Sequence, residues 1–308
     1  MPEAQSNAVT GAVPGARDRA SPLRLFWFEF RQNRVALVSL AIVALIAAAA
    51  LLAPLLVPQD PYDLASLVLG DARRPPGHVG LSGNVYHLGT DAQGRDLLSA
   101  IVYGLRISIQ VGVIAGAVAF VLGVTMGASA AFLGGRTEAL IMRIIDLQLS
   151  FPAILLALMI SAVLGKGMWQ LVAALVAAQY AYFARTAHGA ASVERGKDYV
   201  EAALSTPLSA RRVIFRHILP NCMPPLIVVA TVQVANSIAL EATLSFLGLG
   251  LPPTEPSLGS LISNGFEYLL SGRYWISIYP GIALITLIVA INLVGDQVRD
   301  QINPRLRR

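Results

Sequence analysis

The sequence predicts an all-α polytopic membrane protein with six transmembrane helices, and three observations carry that reading. Of the 308 residues, 55% are hydrophobic and 13% are charged, whereas soluble domains carry roughly 25% charged residues. Six apolar runs reach the roughly 20 residues needed to cross a hydrocarbon core. They cover about 35–57, 106–133, 138–164, 168–187, 221–248 and 275–296. The third observation is that arginines and lysines concentrate between alternate runs.

Taken in order, Met1 to Pro22 is polar and rich in Ala, Gly, Ser and Pro. It is expected to be disordered rather than a cleavable signal, because the first apolar core begins only after Arg34. In "SPLRLFWFEFRQNR", Leu23, Phe26, Trp27 and Phe30 fall near helical spacing between Arg24, Arg31 and Arg34, the pattern of a helix lying at the headgroups. The first span, "VALVSLAIVALIAAAALLAPLLV", has 23 uncharged residues and would rise about 34 Å. In the second, Gly112, Gly116, Gly123 and Gly127 form two small-xxx-small pairs that let helix backbones approach closely in lipid. Asp146 in the third span is expected to pair with Arg143 as a packing contact.

Outside the membrane, "GTDAQGRD" reads as a helix start, with Asp91 as cap and Arg95 and Asp96 keeping it wet. The loop 251–274, rich in Pro, Gly and Ser, completes the external surface. Polar groups at membrane depth single out Gln233, Asn236 and Glu241 on the fifth span. They are candidates for lining a translocation path. Glu241, near the outer boundary, either lines the path or bonds to a neighbouring helix. The resulting division is a cytoplasmic tail with the interfacial helix over 1–33, a first transmembrane helix over 34–57 and an extracytoplasmic segment over 58–104. A core of five spans follows over 105–298, with a cytoplasmic loop at 188–219, and a cytoplasmic tail over 299–308.

Charge sets the orientation. With both termini cytoplasmic, 17 of the 23 arginines and lysines lie inside, a strong positive-inside bias. The net charge of +5 is not gathered into a patch interleaved with aromatics, so nucleic acid is not an expected partner. The single cysteine, Cys222, excludes an internal disulfide framework. No G-x-x-x-x-G-K-[ST] occurs, so no phosphate-cradling loop is expected. His78, His87, His188 and His217 lack the cysteine or acidic neighbours of a metal site. Neither catalysis nor a cofactor is expected on this chain.

The longest cytoplasmic loop holds "KDYVEAALSTPLSARRVIFRHILPN", Lys197 to Asn221. Asp198 followed by Glu201 reads as a capping box for two turns over Tyr199 to Thr206. Pro207 cannot continue that helix, lacking an N–H donor. A second helix is expected from Ser209 through Arg211, Arg212 and Arg216 to His217. Ala202 and Ala203 would give the first helix a smooth face, suited either to docking in a groove or to a plain solvated loop.

This stretch resembles the EAA loop of ABC-transporter permease subunits: EAA, three residues, a glycine, then a His-x-Leu-Pro ending. "HLGTDAQGRDLLSAIVYGLRIS", "IMRIIDLQLSFPAILLAL", "ALEATLSFLGLGLPPTEPSLGSLISNG" and the ending "NLVGDQVRDQINPRLR" narrow the resemblance to the dipeptide/oligopeptide permease family, C-type subunit. It runs from about Leu23 to the C-terminus. One departure stands out: the family's usual glycine falls at Pro207, and coupling is expected to survive with an altered loop angle.

The resemblance implies a type I ABC importer permease fold. It implies that the short helix seats in a cleft on a cytoplasmic ATPase subunit, with Asp198, Tyr199, Glu201, Ala202, Ala203 and Pro207 at or beside the contact. Arg211 and Arg212 flank it, serving either that contact or membrane topology. Implied partners are a second homologous permease, two ATP-binding subunits or domains carrying ATP and Mg, an extracytoplasmic solute-binding protein, and lipid. Peptide is the first substrate expectation, with a nickel chelate or glutathione as alternative. An ion-coupled carrier or channel is disfavoured because charge clusters at the membrane edges.

Overall fold

Asn33 opens the first span. Its Oδ1 accepts the backbone N–H groups of Val35 (3.0 Å) and Ala36 (3.3 Å), two of the donors that a helix start leaves unpaired. Its Nδ2 donates to Oε1 of Gln297 (2.5 Å), tying the beginning of the first span to the end of the last. The computed structural model describes residues 27–28, 30–63, 67–81 and 83–302. The polar leader, the Leu23, Arg24 and Phe26 of the expected interfacial helix, and residues 303–308 lie outside the described residues. Residues 27–28 and 30–32 are helical, and the Trp27 and Phe30 rings stack with centroids 5.9 Å apart.

Helix α1 (Arg34–Leu51) and the short α2 (Ala53–Leu56) make the first span. Among the described residues, the segment that follows departs from all-helical structure with a hairpin of β1 (His78–Val79) and β2 (Val85–Tyr86). It is antiparallel, with His78 opposite Tyr86 and Val79 opposite Val85. The Asp71 carboxylate fastens it, accepting from Leu81 N (3.0 Å) and the Tyr86 hydroxyl (3.3 Å).

Helix α3 (Leu97–Leu133) is capped by Asp96, which accepts from Ser99 N at 2.8 Å. The expectation of Asp91 as cap is therefore corrected. Asp91 instead forms an ion pair with Arg95 (2.7 Å). The start is also dry rather than wet: Asp91, Arg95 and Asp96 are 1%, 2% and 2% exposed. Asp91 turns away from the helix because its Oδ1 is taken by Gln93 N and Arg95 N in the preceding turn. At 37 residues, α3 is about 56 Å long and runs from this segment to the turn at its other end. There Gly134 and Gly135, with φ of 67° and 57°, make the tight left-handed turn that glycine alone adopts cheaply.

The expected continuous third span is two helices, α4 (Gly135–Leu149) and α5 (Ala153–Leu164), bent by 90°. Pro152 is the physical reason: it lacks an N–H, and it pushes Phe151 away from helical backbone. Asp146 pairs with Arg185 on the helix after this bent pair (2.5 Å), not with Arg143. The neighbouring helix brings a guanidinium to the carboxylate's own side. Helix α6 (Met168–Arg195) covers the run expected as the fourth span but is not among the helices apolar enough to cross by composition. It is long enough to cross, though less apolar than the others, since protein rather than lipid covers much of it.

Two loop helices follow, α7 (Asp198–Leu204) and α8 (Ala210–Val213). A π-turn (Ile214–Ile218) then leads into α9 (Leu219–Phe246). The second loop helix and the fifth span, expected as separate elements, are one helical rod from Ala210 to Phe246. The π-turn explains how: Pro220 offers no N–H to the turn below it, and the wider register absorbs that loss. Helix α10 (Leu258–Phe266) starts with a reciprocal Ser257–Ser260 capping box, and α11 (Trp275–Ile302) is the last span.

Four helical rods, Arg34–Leu51, Leu97–Leu133, Ala210–Phe246 and Trp275–Ile302, are individually long and apolar enough to cross a membrane, and the bent pair makes a fifth if it is one span. The core is the α3–α6 seam, the most extensive helix contact in the chain. A Cβ added at Gly127 would lie 2.9 Å from backbone atoms of Ala184 and His188, and one at Gly123 2.6 Å from Phe183 Cβ. Gly112 admits Ile238 of α9 in the same way, at 2.6 Å. These glycines therefore hold backbones together where side chains would separate them, as their spacing predicts.

Candidate functional site

A wide-mouthed cavity of about 1450 Å³ runs between α6 and α9, with the end of α11 at one edge. Its lining on α9 extends from Asn221 to Thr243 through Pro225, Val228, Val232, Asn236 and Ala239, steps of three or four that keep one helix face turned to the cavity. The 22 steps from Asn221 to Thr243 rise about 33 Å, close to the roughly 30 Å of a hydrocarbon core. The cavity is thus a groove as tall as a bilayer is thick.

Its middle is polar without net charge. Asn236 Nδ2 donates to Gln233 Oε1 (2.7 Å), and the Ser237 hydroxyl lies 2.9 Å from both Gln179 Oε1 and the Gln233 carbonyl. Gln179 is 1% exposed and its Nε2 has no partner among the described residues. The charged lining residues, Arg185, Glu194 and Arg299, gather at the end where α6 finishes and α9 begins. Two of the three expected path residues, Gln233 and Asn236, line this groove. Glu241 does not. It is fully buried between α3 and α9, accepting from Ser108 Oγ (2.7 Å) and Ser245 Oγ (2.8 Å). Of its two sequence readings, the geometry places it in the helix-bonding one.

Beneath the charged end lies the loop. Helix α7 starts from Lys197 with no side-chain cap, so the expected Asp198–Glu201 capping box does not form. The helix begins one residue early, which makes Asp198 its first residue and carries Glu201 a position too far to reach back. It ends at Leu204, two residues short of the expected Thr206. Pro207 lies beyond that end, exposed. Asp198, Tyr199, Glu201 and Ala202 are exposed, while Val200 and Ala203 are buried. Val200 belongs to the hydrophobic cluster that holds Val213, Ile214 and Ile218. Ala203 therefore faces its own subunit, leaving Ala202 and Glu201 on the free face. Arg211 and Arg212 are exposed on the second loop helix.

A hydrogen-bond knot joins α7 to both walls of the groove. Glu194, at the end of α6, accepts from Lys197 Nζ (2.6 Å) and from the Tyr199 hydroxyl (2.6 Å). Asn221, at the start of α9, donates through Nδ2 to that hydroxyl (3.1 Å) and to the His217 carbonyl (2.8 Å). Burial of the hydroxyl, with the Glu194 hydrogen bond, pushes the Tyr199 phenol up to about 12, so it remains a donor throughout the physiological range. Further ties fix the same end of α6: His188 Nε2 to Glu138 (2.6 Å) and Arg195 Nη1 to the Ala131 carbonyl (2.8 Å).

Gln179 was legible as a lone amide in an apolar run, the same signal that marks Gln233. The knot carries no such signal, because its members lie on three elements up to 27 residues apart.

The family described as binding-protein-dependent transport system inner membrane component matches residues 119–308, and that of the N-terminal transmembrane domain of oligopeptide transport permease C matches residues 21–76. The chain belongs to the binding-protein-dependent transport permeases. Among its relatives, a di/tripeptide transport system permease protein of Pseudomonas aeruginosa is 36% identical, the match covering 93% of each chain. A dipeptide transport system permease protein of Haemophilus influenzae is 34% identical over 94% of this chain and 96% of its own. A peptide transport system permease protein of Brucella suis, itself named only as putative, is 41% identical over 90% of this chain and 89% of its own. Among solved structures, the inward-facing MetNI methionine ABC transporter aligns with a TM-score of 0.55 at 17% identity. That match covers 67% of this permease and 98% of the other chain. At that identity the likeness shows the fold, a type I ABC importer permease. The permease is accordingly a multi-pass inner-membrane component.

Proposed function

We propose that this permease is one half of the translocation path of an ATP-driven importer for peptides of the dipeptide or oligopeptide type. The groove carries the reading. Beyond the bond that Asn236 makes to Gln233, each polar atom of this pair left facing hydrocarbon would cost several kcal/mol, roughly the unpaired-polar-group penalty in lipid. A second, homologous permease laid over the groove closes it into a shared path. The open groove, about 1450 Å³ on this chain alone, already exceeds the roughly 300–1,000 Å³ of a tight small-molecule pocket. Its neutral donors and acceptors suit the repeating amides of a peptide backbone, held weakly enough to move on. Gln233 and Asn236 contact the passing substrate; Glu241 braces α9 against α3.

The exposed face of α7, with Asp198, Tyr199, Glu201 and Ala202, seats on a cytoplasmic ATPase subunit, flanked by Pro207, Arg211 and Arg212. ATP and Mg belong to two such subunits or domains, and hydrolysis takes place there, so the permease itself is not an enzyme. An extracytoplasmic binding protein delivers peptide to the opposite side, and both termini of the permease are cytoplasmic. Closure of the ATPase pair shifts the path between inward and outward openings.

The test is uptake of a labelled dipeptide into proteoliposomes holding the complete transporter with its binding protein. Uptake that requires ATP and ignores an imposed ion gradient is expected. Gradient-driven uptake without ATP overturns the importer reading, and ATP-driven uptake of a nickel chelate but no peptide overturns the substrate reading.

A further inference from the structure

Helix α7 is attached to the spans by short links on either side, Gly196–Lys197 before it and the stretch 205–209 after it. Backbone connection alone would let a seven-residue helix tilt when pushed. Two things fix its angle: the burial of Val200 and Ala203, and the Tyr199 hydroxyl. That hydroxyl has one proton to donate and a lone pair free to accept a hydrogen bond. It spends the proton on Glu194 at 2.6 Å and accepts from Asn221 at 3.1 Å. The His217 carbonyl, 3.4 Å from the phenol, is served instead by Asn221 at 2.8 Å.

Glu194 and Asn221 are both lining residues of the groove, on opposite walls at its charged end. His217 lies in the π-turn through which the rod bends into the membrane, a local irregularity of the kind that often marks functional sites. One oxygen atom therefore touches the loop helix, the end of one groove wall and the start of the other.

We infer that Tyr199 is a positioning residue that passes a displacement of α7 to the mouth of the groove through Glu194 and Asn221. The inference rests on the proposed seating of α7 on an ATPase subunit, and adds how motion leaves that seat. When the ATPase pair moves α7, the phenol carries Glu194 and Asn221 with it, and the two walls change their separation together. The buried Val200 face keeps α7 folded, whereas the hydroxyl sets the ratio of peptide moved to ATP spent.

The experiment measures peptide imported per ATP hydrolysed in proteoliposomes holding the complete transporter and its binding protein, with a labelled dipeptide as probe. Tyr199→Phe keeps the ring and deletes the tie. A lost hydrogen bond to a carboxylate corresponds to about tenfold in an equilibrium, so the ratio is expected to fall about tenfold while ATPase subunits still co-purify. Asn221→Ala lies outside α7, leaves its docking face intact, and is expected to lower the ratio in the same direction. The Tyr199→Phe, Asn221→Ala double variant is expected to be little worse than Tyr199→Phe alone. An unchanged ratio in Tyr199→Phe overturns the inference; should that variant fail to assemble, an unchanged ratio in Asn221→Ala overturns it. A wild-type complex without ATP-driven uptake overturns the functional reading itself, and this inference with it.

Discussion

Replacing Gly127 by alanine tests whether backbone contact holds this molecule together. The added Cβ would lie 2.9 Å from Ala184 C and from His188 N, and closer still to the Ala184 carbonyl oxygen. All three are main-chain atoms of α6 and cannot rotate aside. Restoring ordinary contact at about 3.4 Å moves α3 back by at least half an ångström, along the most extensive helix interface in the chain. A gap of 0.5–1 Å forfeits about a quarter to a half of each van der Waals well. In lipid no hydrophobic drive compensates for that loss. Overpacking of this kind costs about 1–3 kcal/mol, which is about 5- to 150-fold in the folded fraction. The assay is thermal unfolding of the purified subunit in detergent, with Gly189→Ala as control, since nothing lies within 4 Å of a Cβ at that position on α6. Gly189→Ala is expected to be neutral or slightly stabilising, because alanine is the better helix former. Equal stability of Gly127→Ala and wild type, or equal loss in both variants, refutes the packing argument.

Three other outcomes are expected. Arg95→Met leaves the Asp91 carboxylate buried without its partner, and should cost about 3–5 kcal/mol in denaturant unfolding, with Asp91→Asn, Arg95→Met recovering part of it. Ala202→Trp, on the free face of α7, should abolish co-purification of ATPase subunits without shifting the thermal unfolding of the permease. Ultraviolet titration of wild type minus Tyr199→Phe should show one phenol ionising near pH 12 rather than its ordinary 10.0. Because that value is raised in the folded state, the associated stability is complete below pH 10 and is lost as pH climbs through about 12.

What sequence made legible here follows from periodicity and composition. Lengths of the apolar runs placed four of the six expected spans, and the Gly123–Gly127 spacing marked a close helix contact, because both are consequences of helical repeat. The stop before Pro207 was readable for the same local reason. Pro152 carried as clear a signal, yet the run over 138–164 looked continuous because hydropathy averages across a bend. The Asp91 cap went wrong because a second carboxylate, Asp96, holds that helix start, and the Asp198 cap because α7 begins one residue early, from Lys197 with no side-chain cap. At the site, Gln233 and Asn236 stood out as amides in an apolar run. The direction of Glu241 did not, because Ser108, which accounts for its placement, is 133 residues away. The Tyr199 knot is likewise a property of three elements meeting, which no single stretch of chain records.

The hydrogen bond between Asn33 and Gln297 has a consequence for counting. A chain that departs from and returns to the same side of a sheet of lipid must cross it an even number of times. Arg34–Leu51, Leu97–Leu133, Ala210–Phe246 and Trp275–Ile302 account for four passages. Parity ties the two remaining elements together. If α6, 28 residues long and laid along α3, crosses, the pair joined at Pro152 must go through; if that pair dips in and comes back out, α6 cannot cross.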